Sequence, residues 1–435
     1  MGRRRRSQRL GVWMNGRRVG LLRREPDGAI AFVYNPGWLE LPDAIPVSLS
    51  MPLREERFHG APVRAVLENL LPDDERIRRR VAERMGAEGA DAYSLLAAIG
   101  HDCVGALQFL EEGVEPGPAG GIEARPLDEA GIARLLDDLS AAPLGLDRDL
   151  DFRISIAGAQ EKTALTFLDG RWCKPAGATA TTHILKPAIG RLSNGIDLSH
   201  SIENEFLCLR LTEALGLPSA RVSMQAFAGT RALVVERFDR RWTRDGRLLR
   251  LPQEDCCQAL SVPPTRKYQA DGGPGMAEVL DLLKGSDQPG ADRAVFLRAT
   301  LVFWLLAATD GHAKNFSLAL RAGGRFTLSP LYDVLSAQPS LDAGQIQRRQ
   351  MRLAMSVGDR RHYAVDEIVP RHFEQAAARA GLSRSVVHAI FDDLAGSAGP
   401  ALERVVRELP PDFPPEVLDP IAAGMRRRLL FLGRG

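Results

Sequence analysis

Residues 309–316 read Thr-Asp-Gly-His-Ala-Lys-Asn-Phe, and the six residues before them, 303–308, are wholly apolar. Apolar periodicity predicts a helix over residues 293–308, and a helix end without a polar face belongs inside a core. A buried helix that ends in Asp-Gly-His carries polar groups to one place on a rigid support. Asp310 and Asn315 stand five apart. A carboxylate can accept a proton, and carboxylate and carboxamide oxygens suit a hard cation such as Mg²⁺. The plainer alternative is an Asp-Gly turn that closes the helix.

Working outward, residues 316–320 and 325–328 flank Gly323–Gly324 and predict a hairpin. Leu-Tyr-Asp-Val-Leu follows at residues 331–335, so Asp333 closes that hairpin, either as a second metal ligand or as a surface aspartate. Towards the N-terminus, residues 183–186 (HILK) form a short strand ending in Lys186, which is either a cation for phosphates or an edge-strand lysine. The next helix carries Glu203 and Glu205, and either one could orient that lysine. Residues 232–238 predict another strand, ending in Glu236, Arg237 and Phe238. Residues 155–163 (SIAGAQEKT) are small enough for backbone N–H groups to approach phosphates. They fit neither G-x-G-x-x-G nor G-x-x-x-x-G-K-[ST], and alone they suit a plain turn.

The order of these pieces discriminates where no single piece does. A small-residue loop, a strand lysine, a helix glutamate, a hinge strand, D-x-x-x-x-N and a later aspartate are arranged as in protein kinases. In those enzymes the first aspartate accepts the proton of the attacking hydroxyl. The asparagine and the later aspartate hold magnesium. Val334–Leu335 stands where kinases carry the Phe-Gly of D-F-G.

The 435 residues suggest about two to four domains or subdomains. With 45% apolar and 26% charged residues, the chain is neither disordered nor fibrous. Against 55 acidic side chains stand 57 basic ones, too small an excess for a nucleic-acid binder that works by bulk charge. The five cysteines include the adjacent Cys256 and Cys257 and show no C-x-x-C, so buried thiols of a cytoplasmic protein are expected. The longest apolar run, residues 301–308, falls far short of the ~20 residues that cross a bilayer. The four arginines at residues 3–6 read as a solvated terminus without the apolar segment of a signal peptide.

Asn15–Gly16 between apolar residues 12–14 and 19–22 predicts a hairpin with a type I′ turn, and residues 31–34 a third strand. Helices are expected over 63–71, 74–84, 127–139, 203–215, 276–283, 370–380, 383–394, 401–409 and 415–432, and a strand over 163–168. Residues 113–121, rich in Gly and Pro, should be a loop. The N-terminal half is thus α/β and the C-terminal half mostly helical.

Longer stretches make the chain resemble the HipA family of bacterial toxin kinases. They are residues 152–165 (FRISIAGAQEKTAL), 182–186 (THILK), 235–242 (VERFDRRW), 250–258 (RLPQEDCCQ), 271–275 (DGGPG), 308–317 (ATDGHAKNFS) and 331–333 (LYD), with 13–19 (WMNGRRV) and 68–74 (ENLLPDD) nearer the start. The resemblance implies an α+β, protein-kinase-like bilobal fold. It would comprise an N-terminal subdomain (1–112), a linker and helix (113–150), an ATP-binding part (151–240) and a helical lobe with the catalytic loop (241–435). It implies Asp310 as base and Asn315 and Asp333 as Mg²⁺ ligands. It also implies Lys186 on the phosphates, and Ala157, Gly158, Ala159, Gln160, Glu161 and Lys162 as the loop over them. Glu236, Arg237 and Phe238 match the adenine hinge. Gly311, His312, Ala313, Lys314 and Tyr332 match positions beside the nucleotide. Ser155 matches the serine that the family phosphorylates on itself.

By the same resemblance the enzyme phosphorylates a serine of glutamyl-tRNA synthetase, stopping translation and promoting growth arrest. Its partner is a HipB-like helix-turn-helix antitoxin, through which mainly it would meet operator DNA. Residues 373–381 offer mostly alanine, with Arg379, where the family's DNA contacts lie. A kinase-fold enzyme with another substrate keeps the same active-site residues. A non-catalytic corepressor would not need Lys186, Asp310, Asn315 and Asp333 together.

Overall fold

The computed structural model describes residues 8–146 and 153–432. The arginine run at 3–6, Phe152 and the end of the expected linker at 147–150 lie outside the described residues. The architecture is α+β. Two compact units are each assembled from separated segments: Met1–Pro187, Ala226–Thr265 and Leu318–Phe326 form one, and Ala188–Gln225, Arg266–Ser317 and Thr327–Gly435 the other.

The first unit begins with the expected hairpin. Strands Gln8–Met14 and Arg17–Arg24 pair antiparallel across Asn15 and Gly16, whose φ values of 46° and 77° are those of a type I′ turn. Asn15 also exchanges two hydrogen bonds with the Arg250 backbone, its Nδ2 donating to the carbonyl at 2.8 Å and its Oδ1 accepting the N–H at 2.9 Å. Ile30–Tyr34 and Phe58–His59 extend the sheet on one side and Leu107–Glu111 on the other. Helices Ala61–Asn69, Glu75–Met85 and Ala92–Ile99 share its core. Asp74 caps the second of them, accepting the N–H groups of Arg76 and Ile77, and Gly86 ends it in the left-handed conformation.

A second antiparallel sheet orders Thr230–Glu236, His183–Pro187, Thr163–Leu168, Arg171–Pro175 and Ala124–Pro126 side by side. Strand alternation sorts its faces. Leu165, Leu185 and Val234 pack with Ile132 and Leu136 of helix Glu129–Asp137. Ile184, on the opposite face with Lys186, packs against the N-terminal core. The strand expected to run to residue 238 stops at Glu236, because Arg237 turns its side chain into the buried ion cluster described below.

The second unit is mostly helical, and helix Pro289–Leu306 lies in its interior. Phe296, Leu297, Leu301, Trp304, Leu305 and Leu306 are fully buried. At about 1.5–3 kcal/mol for each such side chain, this burial gives the following loop a firm support. The helices expected at 383–394 and 401–409 are one, Arg384–Glu408, passing through Pro400. Proline's fixed φ is already helical, and its cost is a lost hydrogen bond and a clash one turn back. Leu394, Ala398, Ala401, Leu402 and Val405 continue one buried stripe across it and offset that cost. Among the described residues no disulfide is present, and no helix is long and apolar enough to cross a membrane.

Candidate active site

Helix Pro289–Leu306 ends with Ala307 in the left-handed conformation, φ 52°, and Ala308 N–H donates to the Phe303 carbonyl at 2.8 Å. That closure turns the chain sharply into residues 309–316. A Cβ on Gly311 would sit 2.4 Å from the Phe303 ring, so only glycine lets the loop lie this close to the helix. His312 N–H donates to the Asp310 carbonyl at 2.8 Å, and Asn315 N–H to the His312 carbonyl at 2.9 Å. Asn315 Nδ2 donates to the same Asp310 carbonyl at 2.7 Å. The amide nitrogen is thereby committed, and the carboxamide oxygen is the group Asn315 can offer a cation. Ala313, Lys314 and Asn315 are buried, while the Asp310 side chain stays 48% exposed.

Asp333 is stitched to this loop through its neighbour. Tyr332 donates its hydroxyl to the Lys314 carbonyl at 2.9 Å and shares a hydrogen bond with the Ser317 hydroxyl at 2.5 Å. Ser336 Oγ donates to the Leu306 carbonyl at 2.5 Å, and Ala337 N–H to that of Ala307 at 2.9 Å. Asp333 itself adopts φ 59°, a conformation aspartate tolerates better than most side chains. Asp310, His312, Lys314, Asn315 and Tyr332 are thus tied together by hydrogen bonds, with Asp333 next to Tyr332 in the chain. One carboxamide oxygen and one carboxylate fit Mg²⁺, which is held by few protein ligands and shared with phosphates. Glu203 and Glu205, on helix Ser201–Ala214, are both buried.

On the first unit, the loop from Ala157 to Lys162 is held from several sides. Lys162 Nζ donates to the Ala157 carbonyl at 2.8 Å. Gly158 has φ 108°, a backbone conformation that favours glycine. Glu161 pairs with Arg80 at 2.8 Å, and Gln160 Nε2 donates to the Pro187 carbonyl at 2.9 Å, one residue past the buried Lys186. Ala159 is exposed. Ser155 is fully buried, its hydroxyl donating to the Leu70 carbonyl at 2.8 Å.

In the segment expected as the adenine hinge, Arg237 has a structural role that its letters do not show. Arg237 N–H donates to the Thr182 carbonyl at 2.9 Å, and its guanidinium reaches Asp239 at 2.7 Å and Asp102 at 3.4 Å. Arg240 and Arg250 also pair with Asp102, at 2.9 and 2.8 Å. Burial alone would raise the Asp102 carboxyl, but Arg240, Arg250 and Arg237 outweigh it and hold it well below the ordinary carboxylate range. Arg237 therefore anchors residues 236–238, with Glu236 exposed and Phe238 half-buried on either side.

Two further matched stretches prove to be struts. In residues 68–74, Asn69 Nδ2 donates to the Val262 carbonyl, Leu70 receives Ser155, and Asp73 N–H donates to the Gly158 carbonyl at 3.1 Å. In residues 250–258, Glu254 accepts from Ser48 and Leu49, and Asp255 with Gln258 forms a reciprocal cap on helix Cys256–Ala259.

Comparison with known proteins covers both halves of the chain. Residues 10–110 match the HipA N-terminal domain, and residues 154–402 the HipA-like C-terminal domain. A Sinorhizobium fredii protein bearing a provisional kinase name, Y4mE, is 37% identical over 405 residues, 92% of each chain. The serine/threonine-protein kinase toxin HipA of Shewanella oneidensis is 27% identical over 391 residues, 87% of this chain and 84% of its own. A solved structure of the Shewanella oneidensis HipA, HipB and operator DNA complex matches in fold with a TM-score of 0.81 at 24% identity, covering 98% of both chains. With both domains matched in order and a relative this similar along nearly its whole length, the chain belongs to the HipA family.

Proposed function

We propose that this chain is a serine/threonine protein kinase acting as the toxin of a toxin–antitoxin pair. It transfers the γ-phosphate of ATP to a serine of a protein, with glutamyl-tRNA synthetase as the expected substrate, and arrests growth from the cytoplasm. A HipB-like antitoxin binds it and brings it to operator DNA. The observation that carries this reading is the Asn315 amide fixed on the Asp310 carbonyl, which builds the D-x-x-x-x-N pair into one rigid loop.

In the reaction the acceptor oxygen attacks the γ-phosphorus, ADP leaves, and the acceptor proton passes to Asp310. Asn315 and Asp333 would hold Mg²⁺, which when bound neutralises charge on the phosphates. Lys186 and the N–H groups of residues 157–162 bind phosphate oxygens. Glu236 and Phe238 offer backbone groups to adenine, kept in place by Arg237. The test is incubation of the purified chain with γ-labelled ATP, Mg²⁺ and cell extract. Label on a protein with the wild-type chain and its loss with Asp310→Asn is the expected result. No label above background from the wild type overturns the proposal.

A further inference from the structure

Residues 271–275, Asp-Gly-Gly-Pro-Gly, match the family without a role attached to them. In the second unit they build a tight double turn. The N–H groups of Asp271 and Gly273 both donate to the Tyr268 carbonyl, at 3.1 and 3.0 Å. A Cβ on Gly273 would lie 1.9 Å from the Arg266 carbonyl oxygen and 2.8 Å from that of Tyr268. One on Gly275 would lie 2.1 Å from Gln269 Nε2. Gln269 Oε1 in turn accepts the Ser356 N–H at 2.7 Å. Close approaches therefore converge on residues 266–269, and the one at Gly273, against backbone oxygens, leaves room only for glycine. Within that stretch, Tyr268 donates its hydroxyl to Asp310 Oδ1. Its ring stands edge-on to His312, centroids 4.9 Å apart, and the Lys267 ammonium lies 5.5 Å over its face.

We infer that Tyr268 is a positioning residue for phosphoryl transfer, fixing the orientation of the Asp310 carboxylate through its hydroxyl. The inference rests on Asp310 being the base. A carboxylate about half exposed turns readily about its last torsion, which is broad for aspartate. A base works only within hydrogen-bond reach of its proton and in the right direction. A charge-assisted O–H···O⁻ bond to Oδ1 fixes the carboxylate plane. The ring's packing on buried His312 keeps the phenol itself from swinging. The glycine-built turn thus acts on the chemistry at one remove.

Tyr268→Phe keeps the ring on His312 and removes only the hydroxyl. The full-length chain is assayed with γ-labelled ATP and Mg²⁺ in cell extract, following label into protein while ATP is varied. The expected result is a fall in kcat of about tenfold or more, a fraction of what a lost general base costs. The KM for ATP and the melting temperature should stay at wild-type values. Gly273→Ala, which displaces the turn while keeping the hydroxyl, should also lower kcat with KM for ATP retained. A wild-type kcat in Tyr268→Phe, or a loss carried by KM for ATP or by melting temperature, overturns the inference. Failure of the kinase reading shows separately, as absence of transfer by the wild type or full transfer by Asp310→Asn.

Discussion

The guanidinium of Arg240 donates to the carboxylate of Asp102 at 2.9 Å, with each side chain only 2% exposed. Asp102 comes from the turn before strand Leu107–Glu111, and Arg240 from just beyond the hinge strand. Thr181 adds its own hydroxyl to Asp102 at 2.7 Å. Removing one partner of such a group leaves buried charges without a counter-charge, which costs on the order of 3–5 kcal/mol. Asp102→Asn should lower unfolding free energy in urea by an amount of that order. The carboxyl is depressed below its ordinary 3.8, so its contribution is fully present above that pH and lost as pH falls below it. Wild-type stability should therefore drop more steeply than the variant's below pH 3.8, and parallel curves would remove Asp102 from the acid response.

Glu254 works in the opposite pH direction. It is buried, and accepts the Leu49 N–H at 2.8 Å and the Ser48 hydroxyl at 2.5 Å. Burial pushes its carboxyl up from 4.5 to about 8, with the nearby Asp255 charge adding to the rise. A raised acid holds its proton in the fold after the unfolded chain has released it. Stability tied to it is fully present below pH 4.5 and is lost as pH rises to about 8. Glu254→Gln, similar in shape and uncharged, should flatten the melting temperature between pH 5 and 9 and exceed wild type at the alkaline end. Equal slopes for the two proteins would show that Glu254 does not titrate with folding.

The two proposed Mg²⁺ ligands call for different substitutions. Asn315→Ala removes the candidate oxygen and also the bond that fixes the Asp310 carbonyl. Asp333 sits at φ 59°, so alanine there would add backbone strain, whereas Asp333→Asn keeps a residue suited to that conformation and removes the charge. Each variant should transfer phosphate more slowly and need more Mg²⁺ for half-maximal rate. Together they should lose much less than the sum of the two, because both serve one ion. An unchanged Mg²⁺ requirement in both would take them out of the site.

Local pattern made much of this legible. Asn15–Gly16 could serve little but a tight hairpin, and the apolar run before Thr309 could end nowhere but in a core. The order of lysine, asparagine and aspartates set the expectation of nucleotide chemistry. What stayed hidden depends on long-range contact. Asp102 meets Arg237, Arg240 and Arg250 across 135 to 148 residues of chain, and no spacing rule links such positions. Pro400 reads as a helix end, yet tertiary burial carries the helix through it. Tyr268 lies 42 residues before Asp310, and its signal was the run of glycines after it, which asks why a turn must be so tight.

Ser155 is expected to be phosphorylated by the chain itself, slowly, and the modification should switch ATP binding off. Its hydroxyl is fully buried between Ile154 and Ile156, bonded to the Leu70 carbonyl at 2.8 Å, and its N–H donates to the Asp102 carbonyl at 2.9 Å. An acceptor hydroxyl must reach the γ-phosphate, so both bonds have to break before transfer. Opening of this segment, rather than chemistry, should set the rate, which then becomes independent of ATP once the nucleotide saturates. A phosphate adds about −1.5 to −2 charges at pH 7 and cannot return to an apolar niche. Arg153 beside it already donates to the Ala98 carbonyl at 2.8 Å. With Ser155 out, the pairing of Gly158 with residues 72–73 should lose its anchor, and the loop of residues 157–162, proposed to bind the phosphates, should go with it. Ser155→Ala leaves the Leu70 carbonyl unsatisfied, at about 1–3 kcal/mol, yet should keep its activity on other proteins through long incubations in which wild type fades. Mass spectrometry should find phosphate on Ser155 in wild type after ATP and none in Asp310→Asn. The phosphorylated chain should bind ATP at least about tenfold more weakly, the equivalent of 1.4 kcal/mol. A fully phosphorylated sample with unaltered ATP affinity would leave Ser155 a buried hydroxyl that holds residue 70 in place and nothing more.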